Sequence, residues 1–445
     1  MLLHLLRRQR LSRPHLTRVS LALLTCLAIG STLAWAAVHI RLESSVPEAG
    51  QVLATAPARF ELRFSGPVSE ALSALVLVTP SGDSVHVELG VPGADDRILV
   101  GDVPELMDGE YLVLWRTVSA DGHPVSGEFG FTFAGAVTEA GDGTADGGQP
   151  AAGLVESAEA GEPSSDAGPH AGIVLLAGLG MACVLGFAGL LWYCGSLPLV
   201  HEPRIGRATT VLGWAALLFL GAQYLAWTLS VLPAGTGITG VTAALGSSTG
   251  VAGLARLALI SMALVALPGH GRAAAALALT AVVVGGLSGH AAAISPWVTM
   301  PAKVIHLGAA SIWFGGLLLL VVAPDRPEDG SDAWTFGALA QAVSAAALLS
   351  VVLISASGMV QSARFVGDFA GYWGTPYGRG VLAKWAGLIV LVGFGAYHRF
   401  RVMPGLESGA EERGLRRTVR LETIVMLAVV MLAAWLARVS PPVGR

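Results

Sequence analysis

Charge is what this chain of 445 residues most lacks. Asp, Glu, Lys and Arg make up 13% of it, where a soluble protein carries about a quarter. The shortfall is uneven. Residues 39–170 read as an ordinary soluble segment followed by a polar tail, and residues 171–438 hold one long apolar run after another. A single water-soluble globule is excluded, and a chain shared between water and a lipid bilayer is expected. Cysteine is scarce too, at three. Cys26 follows no convincing lipoprotein box. Cys183 and Cys194 would share one helix face but stand about 16 Å apart in height, so they neither pair nor share one ion. Residues 39–135 contain no cysteine, which excludes a disulfide framework and a thiolate metal site there. The net charge of −4 is too small to argue for a nucleic-acid partner. No nucleophile–base pair or catalytic carboxylate dyad stands out, so an enzyme is not expected.

What is present falls into four parts. Residues 1–36 run from a basic stretch through LALLTCLAIGSTLAWA to Ala34-Trp35-Ala36, the pattern of a secretory signal cleaved after Ala36. The alternative is an uncleaved anchor helix. Residues 37–135 carry strand signals at short spacing: RFELRF, LVLVTPSGDSVHVEL around a Ser-Gly-Asp turn, RILVGDV, YLVLWRTV and EFGFTF. They predict an all-β antiparallel sandwich of Ig-like or cupredoxin-like type. Residues 136–170 are rich in Gly, Ala, Ser, Pro, Asp and Glu, with no basic residue, and read as a flexible acidic tether.

Residues 171–440 predict an all-α polytopic membrane bundle of about eight helices. The candidates lie near 171–195, 208–230, 251–268, 273–289, 302–323, 337–358, 381–400 and 421–438. The loop at 398–420 holds six arginines, and the one at 231–250 holds no charge. Basic loops stay inside. The sandwich is then extracytoplasmic on a multi-pass protein of the cell membrane, and the connections 231–250, 290–301 and 361–380 face outside.

On this topology His170, His290 and His306 fall near outer helix ends, and His201, His270 and His398 near inner ones. His306 lies about one turn inside its helix, where an imidazole is costly unless it faces the bundle interior. His290 closes the preceding helix, and the short connection can bring both imidazoles to one outer vestibule. Met300 lies on that connection, and Met181 in the first helix. Thioethers beside imidazoles suit Cu(I), although lipid or core packing is the favoured explanation of both methionines. Arg256 and Lys384 are expected to snorkel to the outer interface. Glu422 is expected to pair with Arg416, Arg417 or Arg420. In the soluble part, Asp121 and His123 stand at i and i+2 and project to one side of an extended backbone. A carboxylate oxygen and an imidazole nitrogen are two corners of a tetragonal Cu(II) site. His39 is a candidate for a further donor.

The stretch SADGHPVSGEFGFTF (119–133), with HIRLESSVPEAGQVLATAPARFELRFSGPV near the start, closely resembles the CopC copper-binding domain. SGHAAA, HLGAASIWFGGL, YGRGVLAKW (377–385) and LRRTVRLE (415–422) resemble CopD. The whole resembles a CopC–CopD fusion. The resemblance implies a Cu(II) site made by His39 with its own amine, Asp121 and His123. It also implies copper movement across the membrane, with His290, His306, Met300 and His170 as the candidate path. The methionine-rich loop of some CopC proteins is absent, since Met107 is the only methionine in 37–135. One Cu(II) site is therefore expected in the soluble domain, with Cu(I) a candidate species in the membrane. Cleavage after Ala36 puts His39 third, which would offer an amine, two amides and an imidazole in one plane. Two alternatives to uptake remain open. One is extracytoplasmic sequestration without transport; the other is haem-type electron transfer through paired helix histidines.

Overall fold

The computed structural model describes residues 40–92, 95–118, 124–135, 171–197, 199, 202–233, 237–287, 296–328, 330, 334–404, 412–439 and 441–442. The expected signal peptide and acidic tether lie outside the described residues.

Alternation builds the N-terminal domain. In RFELRF, Phe60, Leu62 and Phe64 are buried while Arg59, Glu61 and Arg63 turn outward. Among the described residues nine strands form: β1 (Leu42–Val46), β2 (Val52–Leu53), β3 (Arg59–Phe64), β4 (Ala74–Val78), β5 (Ser84–Val87), β6 (Leu89–Gly90), β7 (Ile98–Asp102), β8 (Gly109–Val118) and β9 (Pro124–Phe133). They make two sheets, in the orders β1-β3-β7-β6 and β2-β9-β8-β4-β5. The inward rows of both sheets close one core around Phe60, Leu62, Phe64, Leu77, Val113 and Phe131. The expected sandwich is therefore present. Its pairing is antiparallel apart from the two-residue contact of β2 with β9, which is parallel. The β4–β5 hairpin turns at Ser81-Gly82-Asp83 as the sequence predicts; Gly82 has φ 88°, and the Asp83 amide donates to Thr79 Oγ1 at 3.2 Å. One glycine is required by close approach. Gly127 stands opposite Trp115, and a Cβ there would lie 2.5 Å from the indole ring. The indole can therefore lie flat across β9 and meet Phe64 edge-on at 5.3 Å.

The rest is helical: α1 (Ala171–Ser196), α2 (Pro203–Val231), α3 (Gly237–Gly246), α4 (Ser248–Ala266), α5 (Gly271–Gly286), α6 (Pro296–Val322), α7 (Phe336–Phe365), α8 (Phe369–Gly374), α9 (Pro376–Tyr397) and α10 (Glu412–Leu436). Seven of these are long and apolar enough to cross a membrane. The 16-residue α5 is the eighth long element; at about 24 Å it is shorter than the hydrocarbon core. Helix α1 is central and packs on α2, α5, α6 and α10. A Cβ on Gly189 would fall on the Ser311 carbonyl, and one on Gly315 would fall on the Gly189 backbone. Two glycines thus let α1 and α6 touch backbone to backbone, as small residues do in lipid where no hydrophobic force drives association. Cys183 and Cys194 are both free thiols on α1.

Helix ends differ from the apolar runs in a consistent way. Helix α2 begins at Pro203 rather than near 208, α6 at Pro296 rather than near 302, and α10 at Glu412 rather than near 421. The extra turns are polar or contain proline. Pro203 suits the first helical turn, where an amide has no intrahelical partner, and Pro301 is accommodated inside α6. Two connections predicted as loops contain short helices, α3 and α8. Helix α8 is capped by Asp368, whose carboxylate accepts from the Gly371 amide at 2.7 Å.

Candidate functional site

The register of β8 with β9 runs from Gly109 opposite Phe133 to Val118 opposite Pro124. Residues 119–123 are therefore the hairpin connection. Asp121 and His123 belong to it and lie outside the described residues, as do His39, His170 and His290. Their described neighbours are placed. Leu42 of β1 pairs with Phe64 at the end of β3, and Phe64 meets Trp115 near the end of β8. Ile40, which follows His39, thus sits at the same end of the sandwich as Val118 and Pro124, which flank the connection.

That end of the sandwich is docked on the helices. Leu72 and Val118 form one buried cluster with Val231 at the end of α2 and Ala244 of α3. Trp227, Leu232 and Ala243 pack around it. Arg116 of β8 donates to the Ser230 carbonyl. Consecutive long helices pack on one another and alternate in direction. The docked end of the bundle is therefore where α1, α4, α6 and α9 begin and where α2, α5, α7 and α10 finish. The arginines of 399–420 lie at the opposite end.

His306 is the one histidine of the expected membrane path that is described. It faces α7, with Nδ1 3.2 Å from Ser357 Oγ. Ser357 has one hydroxyl proton, and its oxygen lies 2.5 Å from the Leu353 carbonyl. That proton is used, so Ser357 accepts from His306 Nδ1–H. In that tautomer the ring's lone pair is on Nε2. Tertiary packing thus gives this imidazole a polar partner inside an apolar bundle. Met300, on the same helix, is packed with Phe365, Tyr377 and Val381. Six residues from His306, it points about 120° away around the helix. Met181 packs against the central core from α1.

Two charged residues sit differently from expectation. Lys384 of α9 is half-buried, and its charge bears on His306 of α6 rather than standing alone at the interface. Glu422 does not pair with an arginine among the described residues. Its Oε2 lies 3.2 Å from Nδ1 of His398, and Trp313 Nε1 donates to Oε1 at 3.3 Å. His398 Nε2 in turn lies 2.7 Å from Thr418 Oγ1. Arg416 instead donates to the Ala323 carbonyl at 2.8 Å and to Asp325 at 2.6 Å, with its guanidinium 3.9 Å over the Phe336 ring. The reason is angular. Arg416 is six residues from Glu422 and on another face of α10, whereas His398 is brought opposite it by a π turn over His398–Val402. Sequence reasoning missed this pair, and it also passed over Lys303. The available signal was Lys303 and His306 at i and i+3 on an apolar helix.

These features define a multi-pass membrane protein with a β-sandwich docked on one end of its helical bundle. Residues 42–134 match the family described as CopC domain, and residues 338–436, spanning α7 to α10, match Copper resistance protein D. The chain belongs to the CopC family and carries a CopD domain in the same polypeptide, which makes its role in the membrane a copper-related one. The chain is 27% identical over 430 residues to the Copper transport protein CutJ of Bacillus subtilis (strain 168), covering 91% of this chain and 75% of that protein. It is 38% identical over 105 residues to Copper resistance protein C of Escherichia coli, covering 22% of this chain and 82% of that one. The crystal structure of CopC from Methylosinus trichosporium OB3b aligns over 23% of this chain and 100% of its own, at 32% identity and TM-score 0.22.

Proposed function

We propose that the sandwich captures Cu(II) outside the membrane through His39, Asp121 and His123, and passes copper into the helical domain for uptake. Copper is cargo here, and the chain acts as a carrier rather than a catalyst. The observation that carries this reading is the docked end: Leu72, Val118 and Arg116 rest on Val231, Ala244 and Ser230. The last paired residues of β8 and β9, Val118 and Pro124, therefore lie at the docked end. A donor fixed beside its acceptor works at high effective concentration. Orientation is supported by the arginines at the far end of the bundle, since basic loops stay cytoplasmic.

His306 is the receiving group in this scheme. Imidazole serves copper in both oxidation states, so delivery to nitrogen does not by itself demand reduction. His290, His170 and Met300 complete the proposed path. Among the described residues no three His, Cys, Asp or Glu gather into a metal site.

His306→Ala should lower cellular copper accumulation while cupric binding by the sandwich stays intact. Unchanged accumulation would reject the transport route and favour sequestration, in which deletion causes copper sensitivity without altering cytosolic copper. The mature N-terminus decides how His39 binds. Intact-mass measurement giving His39 as first residue assigns it amine and imidazole together; Ala37 as first residue assigns the square-planar arrangement.

A further inference from the structure

Four nitrogen bases share one layer of the helical domain. Arg256 lies eight residues into α4, Lys303 and His306 seven and ten residues into α6, and Lys384 eight residues into α9. All three helices start at the docked end, so the layer is about 10–15 Å below it. Lys303 and His306 are neighbours at i and i+3. The charge of Arg256 bears on Lys303, and that of Lys384 on His306. Like charges close together in an apolar bundle repel strongly unless something of opposite sign is present.

The helices supply nothing of opposite sign. Residues 203–324, 333–367 and 369–406 contain no Asp or Glu. Asp368 is engaged as the cap of α8. Glu422 is engaged with His398 at the opposite end. Arg256, by contrast, has a polar atom left over. Its guanidinium lies against Gly285 of α5, where a Cβ would stand 3.0 Å from Cζ and 3.1 Å from Nε. The Nε of Arg256 is buried and has no hydrogen-bond partner. A buried guanidinium N–H without an acceptor is costly.

We propose that Arg256 and Lys303, at the junction of α4, α5 and α6, form a binding site for a small inorganic anion of the size and charge of chloride. The anion accepts from Arg256 Nε and separates the two cations. It also offsets the positive field three residues above His306, which any metal cation approaching that imidazole must meet. The site stands whether or not copper passes His306.

The test uses the purified full-length chain in nanodiscs of phosphatidylcholine, without copper. Chloride is titrated against gluconate at constant ionic strength. The thermal midpoint should rise saturably with chloride, as it does when a ligand binds only the folded state. Arg256→Gln and Lys303→Gln should each move half-saturation up by about tenfold or more, the worth of a charge-assisted contact. Lys384→Gln, on the far side of His306, should leave it within about twofold. No chloride-dependent rise in the native chain overturns the proposal, as does an equal rise in both variants. Should neither variant fold, chlorine-35 line broadening on the native chain decides: excess broadening removed by bromide supports the site, and none overturns it. Because copper is absent throughout, failure here leaves the copper reading untouched, and failure of copper uptake leaves this result untouched.

Discussion

His123→Ala is expected to weaken cupric binding by the isolated sandwich by about a hundredfold or more, since even loss of an outer-shell partner costs ten- to a hundredfold. Asp121→Asn should do nearly as much, because the anionic oxygen that balances the metal charge becomes a neutral amide. Neither change should alter the melting of the domain. Its core is closed by Phe60, Leu62, Phe64, Leu77, Val113 and Phe131, and the substituted positions lie in the connection beyond the last paired residues, Val118 and Pro124. Titration with cupric salt, followed by the d–d band and by competition with a chelator, reads the affinity; circular dichroism reads the fold. Native affinity in both variants would remove Asp121 and His123 as ligands, and with them the capture step.

The second large effect concerns stability rather than copper. Glu422 is 2% exposed and His398 6%. Their 3.2 Å contact is joined by the Trp313 indole N–H. Glu422→Leu would leave two buried donors, on His398 and Trp313, with no acceptor. Removing one partner of a buried pair costs about 3–5 kcal/mol, so a fall of many degrees in the melting midpoint of the purified chain is expected. Glu422→Gln keeps a carbonyl for Trp313 and should fall less. The double change Glu422→Leu with His398→Leu should recover much of the loss, because two apolar groups need no partners. A Glu422→Leu chain that melts with the native one would show the pair to be unimportant. The contact joins α10 to the end of α9 and to α6, so the same measurement tests what holds the opposite end of the bundle together.

Much of the architecture is written locally. Alternation in RFELRF and YLVLWRTV dictates strands with a buried side, because successive side chains point to opposite faces. Long apolar runs dictate helices in lipid, because no other open backbone satisfies its own hydrogen bonds there. The short strands β1, β2 and β6 were not legible. A strand of two residues, such as Val52–Leu53, has no period to read and exists only because β9 lies beside it. Helix starts were misjudged by several residues, since hydropathy marks where lipid begins and not where helical hydrogen bonding does.

For the candidate site the division is sharper. The sequence by itself named the candidate donors: Asp121 and His123 two apart, His39 near the expected mature start, and His306 in an otherwise apolar helix. Ligand chemistry belongs to side chains and needs no fold to be recognised. Only the tertiary structure decided partners. It set Ser357 against His306, turned Glu422 from the nearby arginines to His398, brought the charge of Lys384 to bear on His306, and rested Val118 and Leu72 on Val231 and Ala244. Each of these is a contact between elements far apart in the chain. Its geometry depends on helix phase and packing distance, quantities that a linear pattern does not contain.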